Sequence, residues 1–369
     1  MYYTAPHKEV VKMSKKTIVA LGGDGVGPEV VEAACQILEG AGFALEILKP
    51  PAGEIALEKY GDAFPEETRI MCDEANAILF GATGETSIVI LAYLRWILDN
   101  FVNIRPVKYF AGAQSCLKNP QDIDFVILRE NSEGLYSFAE GDLELLSDKL
   151  PDYRTLMGKS FSDFGKGKFA IRIISEQGVQ RLAKFACEYA VSRKSNGHPG
   201  KLTCVSKSNV LRLTDGLFEQ VVKDEIAKYA GLNYEQFYVD DTARRLLKYP
   251  RSFDVLVTSN MFGDVLADEA SELVGGLGMV GSACVGGRVA YFEPVHGSAP
   301  KYAKRNVINP TAAILSAGLM LEYLDMNAEA NTLENAVRAV YREGKYLTYD
   351  HGGNTSTSDF AKAVLSQIR

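Results

Sequence analysis

Residues 17–29 read TIVALGGDGVGPE, and this stretch decides the fold class. Thr17–Leu21 is a short, β-branched apolar run, as a buried strand requires. Four glycines follow at 22, 23, 25 and 27, and then Pro28, which suits the first turn of a helix. Beyond it Val30, Ala34, Ile37, Leu38 and Ala41 recur on one helical face, which predicts a helix over Pro28–Gly40. Strand, glycine turn and helix make the opening unit of an α/β fold. The turn is not a dinucleotide fingerprint: GxGxxG begun at Gly23 needs glycine at 28, where Pro28 stands, and no GxxxxGK[ST] occurs in the chain. A plain tight turn is the first reading of these glycines. Backbone N–H groups facing an anion are the second.

The alternation continues outward. Apolar runs predict strands at Ala77–Phe80, Phe125–Leu128, Phe169–Ile174, Leu202–Val205 and Phe253–Thr258. Helical periodicity predicts Val179–Val191, Asp264–Leu273, Pro310–Leu324 and Leu333–Arg342. Together they imply a largely parallel sheet. Ser137–Lys168 breaks the pattern, being polar and rich in Gly and Lys. It is an extended arm, a small subdomain or a surface insertion.

The 369 residues, 47% hydrophobic and 24% charged, suit two or three globular domains. A net charge of −7 argues against nucleic acid as a partner. No run approaches the roughly 20 apolar residues of a membrane helix. Met1–Met13 has no apolar core and is expected to be a loose extension, not a signal peptide. The six scattered cysteines form no metal-ligand spacing and are expected to be reduced thiols of a cytoplasmic protein.

Several residues carry potential chemistry. Arg95 lies in a helical stretch, Arg105 precedes Pro106, which should end regular structure, and Arg129 closes the strand FVIL. Converging guanidiniums would suit a polycarboxylate, each arm held bidentately. A surface salt bridge is the commoner fate of any one arginine. Asp264 and Asp268, four apart at an expected helix start, project from one face with Asp240 elsewhere. A divalent cation, Mg²⁺ or Mn²⁺, would relieve their repulsion, and a favourable helix dipole is the competing account. Lys207, after the strand LTCV, is a candidate base, and Tyr136 a candidate acid. Around His296 two prolines and a glycine fix an irregular loop fit for a ligand such as adenine, with Lys301 and Tyr302 available for a further phosphate.

The ordered set GDGVGPE (23–29), NIRP (103–106), RENSEGLY (129–136), KSN (207–209), YVD (238–240), GDVLAD (263–268) and EPVHGSAPKYA (293–303) resembles one family from Thr17 to the C-terminus. That family is the β-decarboxylating dehydrogenases, which act on isocitrate, 3-isopropylmalate, homoisocitrate and D-malate or tartrate. The resemblance implies a two-domain α/β fold with a mixed, largely parallel sheet and no Rossmann fingerprint. Residues 1–100 with 275–369 would form the large, cofactor-binding domain. Residues 101–274 would form a smaller dimerisation and substrate domain with an arm at about 137–168.

It further implies that Arg95, Arg105 and Arg129 grip the malate carboxylates, with Asn209 beside them. Asp240, Asp264 and Asp268 would ligate the metal, Lys207 would deprotonate the hydroxyl, and Tyr136 would protonate the enol carbon. Active sites would be shared across a homodimer, Asp240 and Lys207 reaching the neighbour's site. The nucleotide would contact His296, Gly297, Ser298, Ala299, Lys301, Tyr302, Asn309 and Tyr349. NAD-using relatives carry an acidic and an aliphatic residue where Lys301 and Tyr302 stand, so the pair points to NADP, with NAD the alternative. The arginine expected just beyond Tyr349 is replaced by Gly352 and Gly353.

Val89 and Leu91 stand where isocitrate enzymes present Ser and Asn to a third carboxylate. An apolar wall there favours 3-isopropylmalate or D-malate, because it would leave that carboxylate unsatisfied. RENSEGLY instead leans towards the isocitrate, homoisocitrate and tartrate branches. A non-catalytic regulatory subunit is the alternative of another class. Retention of Lys207, Tyr136, Asp240, Asp264 and Asp268 speaks against it.

Overall fold

The computed structural model describes residues 15–369; the expectation for Met1–Met13 lies outside them. Twelve strands are present among these residues: β1 (Lys16–Gly23), β2 (Leu45–Leu48), β3 (Ala77–Ala82), β4 (Val102–Lys108), β5 (Asp124–Glu130), β6 (Glu140–Asp142), β7 (Lys168–Ala170), β8 (Lys201–Ser206), β9 (Asn233–Tyr238), β10 (Val255–Thr258), β11 (Gly281–Val285) and β12 (Tyr291–Pro294). Ten form one sheet in the order β2-β1-β3-β12-β11-β4-β5-β10-β8-β9. Its two ends are parallel, and the centre, where β12, β11, β4 and β5 pair with one another, is antiparallel. The mixed, largely parallel sheet is thus as expected.

Helices cover both faces, so the parallel strands read as continuous apolar runs and not as alternation. Ile18, Val19 and Leu21 of β1 are wholly buried, as are Ala77–Phe80 of β3 and Phe125–Leu128 of β5 to within a trace. The helix Gly27–Gly40 lays Val30, Ala34, Ile37 and Leu38 into the main core.

Three expectations need correction. Pro106 does not end regular structure: it sits inside β4, opposite Val126 of β5. The ladder to β11 stops at Ile104, so a residue without an N–H is tolerated on the side that has lost its neighbour. The strand expected over Phe169–Ile174 shrinks to β7, which pairs only with β6, plus an isolated bridge at Ile173. Asp264 and Asp268 lie not at a helix start but inside the helix Asn260–Glu272, a turn beyond its first residues, where the N-terminal dipole no longer accounts for them. The 137–168 stretch holds β6, the helix Leu143–Lys149 and the turn Phe161–Phe164, apart from the main sheet.

Candidate active site

The antiparallel register at the centre of the sheet assembles the site. Asn103 pairs with Arg129 across β4 and β5, and with Cys284 across β4 and β11. Cys284 and Ser282 in turn pair with Tyr291 and Glu293 of β12. Side chains two apart on a strand share a face. Asn103, Arg105, Arg129, Cys284, Tyr291 and Glu293 therefore all point to one side, and both arginines are almost completely buried.

Above this face a cavity of about 260 Å³ is lined by Arg95, Arg105, Arg129, Tyr136, Asp264 and Glu293, and also by Ile88, Leu91, Trp96, Phe138 and the 294–297 loop. Arg95 arrives from a π-helical turn, Tyr93–Ile97. Gly263 is required where the helix Asn260–Glu272 crosses β5, since a Cβ would lie 2.7 Å from the Arg129 Cβ. That close approach brings Asp264 over the arginines.

Asp264 is the hub. Its Oδ1 accepts a short hydrogen bond from Arg129 and lies 3.2 Å from Arg105 Nη2. The Tyr136 hydroxyl donates to Oδ2 at 3.1 Å. Asp268 lies 3.8 Å from Arg105 Nη1. Asn260 Oδ1 accepts from Arg129 Nε at 3.1 Å and Nη2 at 2.7 Å.

The electrostatics follow. Burial alone would raise the Asp264 carboxyl, but Arg129 and Arg105 outweigh it and hold it below the ordinary carboxylate value. Asp268 is raised, by burial first and by Asp264, with Arg105 opposing. Burial, then repulsion from Arg105, pulls the Arg129 guanidinium down. Tyr136 is raised by burial and by Asp264, so it holds its proton firmly. Arg95 Nε and Arg105 Nη1 are buried and have no hydrogen-bond partner among the described residues. Buried donors left unpaired call for an acceptor, which a polycarboxylate supplies.

Lys207 and Asp240 stand apart from this cavity and form an ion pair with each other. The Lys207 backbone N–H donates to the buried Asp215 at 2.6 Å, and Arg172 lies 2.6 Å from that carboxylate. Asn209 is exposed on the same turn. Val89 is half exposed and outside the cavity lining, whereas Leu91 is in it, with Ile88 beside it.

A second cavity, about 580 Å³, adjoins the first through His296 and Gly297, which line both. Ala299, Asn309, Tyr349 and Asp350 also line it, with Gly275, Gly276 and Gly278. His296 Nε2 is buried and without a partner among the described residues, and burial lowers the ring's pKa, keeping it neutral. Asn309 is buried, its amide donating to Tyr341 at 3.0 Å and Asp350 at 2.9 Å. Tyr302 stacks on Tyr349 with centroids 5.9 Å apart, and the Arg305 guanidinium lies 5.8 Å from the Tyr302 ring. Lys301 is exposed, and among the described residues Lys301, Lys304 and Arg305 have no ion-pair partner. Ala299, Lys304 and Asn306 all adopt positive φ, concentrating strain in this one loop.

The anion reading of the first glycine turn is overturned. The N–H of Asp24 bonds to Ala82 O, that of Gly25 to Glu54, that of Val26 to Ser298 O and that of Gly27 to Asp24 O. All four donors are taken within the fold. A Cβ on Gly25 would sit 2.0 Å from the Ser298 carbonyl, so this glycine serves to dock the turn against the 296–300 loop. Ser298 accordingly braces the loop with its carbonyl.

Sequence reading missed Asn260, Glu293, Ile88, Trp96, Phe138 and Arg305 as site residues. Glu293 stood within the quoted EPVHG motif and Trp96 beside Arg95, but nothing local indicated which way they point.

An arginine-lined anion cavity with paired aspartates, opening onto a larger cavity with aromatic and cationic rims, defines a dehydrogenase-type site for a small polycarboxylate. The family model for isocitrate/isopropylmalate dehydrogenase matches residues 17–364. The 3-isopropylmalate/3-methylmalate dehydrogenase of Methanocaldococcus jannaschii is 41% identical, over 95% of this chain and 98% of that protein. The 3-isopropylmalate dehydrogenase of Archaeoglobus fulgidus is 42% identical, over 96% and 99%. The crystal structure of isocitrate dehydrogenase from Methylococcus capsulatus superposes with a TM-score of 0.83 at 31% identity, over 96% and 99%. The chain belongs to the isocitrate/isopropylmalate dehydrogenase family and is an oxidoreductase of the β-decarboxylating type.

Proposed function

We propose that this chain oxidises and decarboxylates a (2R)-2-hydroxy-3-carboxy acid with an apolar C3 substituent, 3-isopropylmalate being the reference substrate. It would use NADP and Mg²⁺ or Mn²⁺, as a cytoplasmic homodimer with shared sites. The observation that carries this reading is the convergence of buried Arg105 and Arg129 on Asp264, with buried Arg95 lining the same cavity and Arg95 Nε and Arg105 Nη1 without hydrogen-bond partners among the described residues. The apolar side of the same cavity, Ile88 and Leu91, offers nothing to a third carboxylate. The large domain would contribute strands β2-β1-β3-β12-β11 and the small domain β4-β5-β10-β8-β9, with the cleft over their junction.

The residues fit the groups such a reaction needs. Asp264 and Asp268 are all-oxygen donors; the Asp268 carboxyl, raised first by burial and then by Asp264, would be relieved by a hard cation. Asp240, from a second copy, would complete the set. Val210, Leu213 and Tyr238 near Lys207 and Asp240, and Val265 beside Asp264, are exposed apolar residues suited to burial against that copy. The neutral His296, with its free Nε2, suits an adenine. Lys301, Tyr302, Tyr349 and Arg305 suit a 2′-phosphate, the last in place of the arginine absent beyond Tyr349.

A divalent cation held by Asp264 and Asp268 would supply Lewis-acid polarisation of the substrate hydroxyl, and a nicotinamide nucleotide held along the His296 cavity would supply the hydride acceptor. The chain's own residues do the rest. Arg95, Arg105 and Arg129 hold the two carboxylates and fix C2 and C3. Lys207 of the second copy takes the hydroxyl proton. Tyr136 keeps its proton at neutral pH and delivers it to C3 after CO₂ leaves. Six free cysteines, five of them buried, suit a reducing compartment.

The test is an NAD(P)H absorbance assay with Mn²⁺ on 3-isopropylmalate, isocitrate, homoisocitrate, D-malate and tartrate, each with NAD and NADP. We expect turnover fastest with an apolar malate and NADP. A preference for isocitrate or homoisocitrate would overturn the substrate class, and no turnover of any would overturn the function.

A further inference from the structure

The chain has a single tryptophan, Trp96, and it lines the substrate cavity directly after Arg95. The π-helical turn over Tyr93–Ile97 lets consecutive residues present to one pocket, and such turns cluster at functional sites. The Trp96 indole N–H is anchored on the Ser132 carbonyl at 3.2 Å, which fixes the ring. Phe138 meets it edge-on, centroids 5.6 Å apart and planes at 85°. Phe138 has φ 55 and is 64% exposed. A bulky residue held in left-handed backbone with its ring in solvent is an outlier twice over. Ile88 and Leu91 line the same cavity from the helix preceding Arg95.

The charged residues lining this cavity belong to the arginine–aspartate cluster and Glu293, Tyr136 donates to Asp264, and Thr83 and His296 are the other polar residues of the lining; the side formed by Ile88, Leu91, Trp96 and Phe138 is apolar and carries two aromatic rings. A short alkyl group would leave the Phe138 ring largely wet. A ring carried on C3 would cover it and complete an aromatic cluster with Trp96, in the edge-to-face or offset geometry such rings prefer. We propose that the side-group subsite is built for an aryl-bearing substituent, so that the preferred substrate is a 3-(arylmethyl)malate. This rests on the proposed function and narrows its apolar substituent to an aromatic one.

Racemic 3-benzylmalate, 3-isopropylmalate and D-malate are compared as substrates of the full chain with Mn²⁺. The expected result is a higher kcat/KM for 3-benzylmalate than for 3-isopropylmalate. Trp96→Leu and Phe138→Ala should each lower the benzyl-to-isopropyl ratio by about tenfold or more, the scale on which hydrophobic pockets discriminate. Because Trp96 is the only indole, 3-benzylmalate should also perturb its fluorescence on binding, and D-malate much less. A preference for 3-isopropylmalate, or a ratio unmoved by Phe138→Ala, overturns the aryl assignment and leaves the proposed function standing. If Phe138→Ala lowers turnover of all three malates alike and shifts the protein from dimer to monomer in light scattering, Phe138 is an intersubunit residue and the assignment falls. No turnover of any malate removes the proposed function, and this inference with it.

Discussion

Replacing Asp264 by Asn tests the central arrangement without any assumption about substrate. The amide keeps the shape and removes the charge that two buried guanidiniums share. At 3.2 Å, and at the effective dielectric of about 20 typical of protein sites, the Arg105–Asp264 attraction alone is about 5 kcal/mol, and Arg129 lies closer still. Desolvation offsets much of that in the native protein. It does not vanish with the carboxylate, however, because Arg129 and Arg105 stay buried at 3% and 7% side-chain exposure. Removing one partner of a buried pair costs about 3–5 kcal/mol. For a chain of 369 residues that corresponds to a fall in melting temperature on the order of 4–6 °C. The arginine cluster then carries uncompensated positive charge, so malonate without metal should raise the melting temperature of Asp264→Asn more than that of the wild type. The assay is thermal unfolding by circular dichroism across a malonate series. A variant that melts with the wild type, or that malonate stabilises no more than the wild type, would refute the claim that Asp264 neutralises the cluster.

Lys301→Asp should lower kcat/KM for NADP by about 10- to 100-fold, the worth of one hydrogen bond to a charged group, while NAD is spared. An unchanged NADP-to-NAD ratio would count against the 2′-phosphate assignment. Lys207→Met and Tyr136→Phe should each be inactive alone. Mixed under conditions that exchange subunits, they should recover about a quarter of wild-type activity, since in a twofold dimer half the mixed species carry one intact site of two. No recovery despite proven exchange would place both residues in one subunit's site. His351, whose Nδ1 accepts from the Gln114 N–H at 3.0 Å, and His296 both have pKa values lowered by burial from 6.5. The unfolded chain therefore takes up protons first as pH falls below about 6.5, and stability is lost downward from there towards the folded-state values. The melting temperature should fall as the pH is lowered through about 6.5, less steeply in His351→Asn. A melting temperature that rises on acidification below about pH 6.5 would refute the sign.

Much of the fold is legible where the signal is long and periodic. The helices around Val179–Val191, Pro310–Leu324 and Leu333–Arg342 were readable because a face of apolar residues repeats over several turns. The buried parallel strands β1, β3, β5, β8 and β10 were readable as continuous apolar runs. The strands β2, β4, β9, β11 and β12 were not. They are short, and β4 contains a proline that is acceptable only because β11 ends two residues earlier. Helices such as Glu66–Glu74 and Val239–Lys248 bury only a couple of side chains each and give little apolar period to read.

The sequence by itself determined the α/β class, the strand–turn–helix opening and the identities of the arginines, aspartates, Lys207 and Tyr136, because these depend on residue type and local spacing. Tertiary structure alone decided that Arg105, Arg129 and Glu293 share one face of the sheet, that Gly25 docks against Ser298, and that Trp96 and Phe138 meet over the cavity. The reason is that pairing register and close backbone approach are set by contacts between residues distant in the chain, and a one-residue slip in β4 would turn Arg105 to the opposite side.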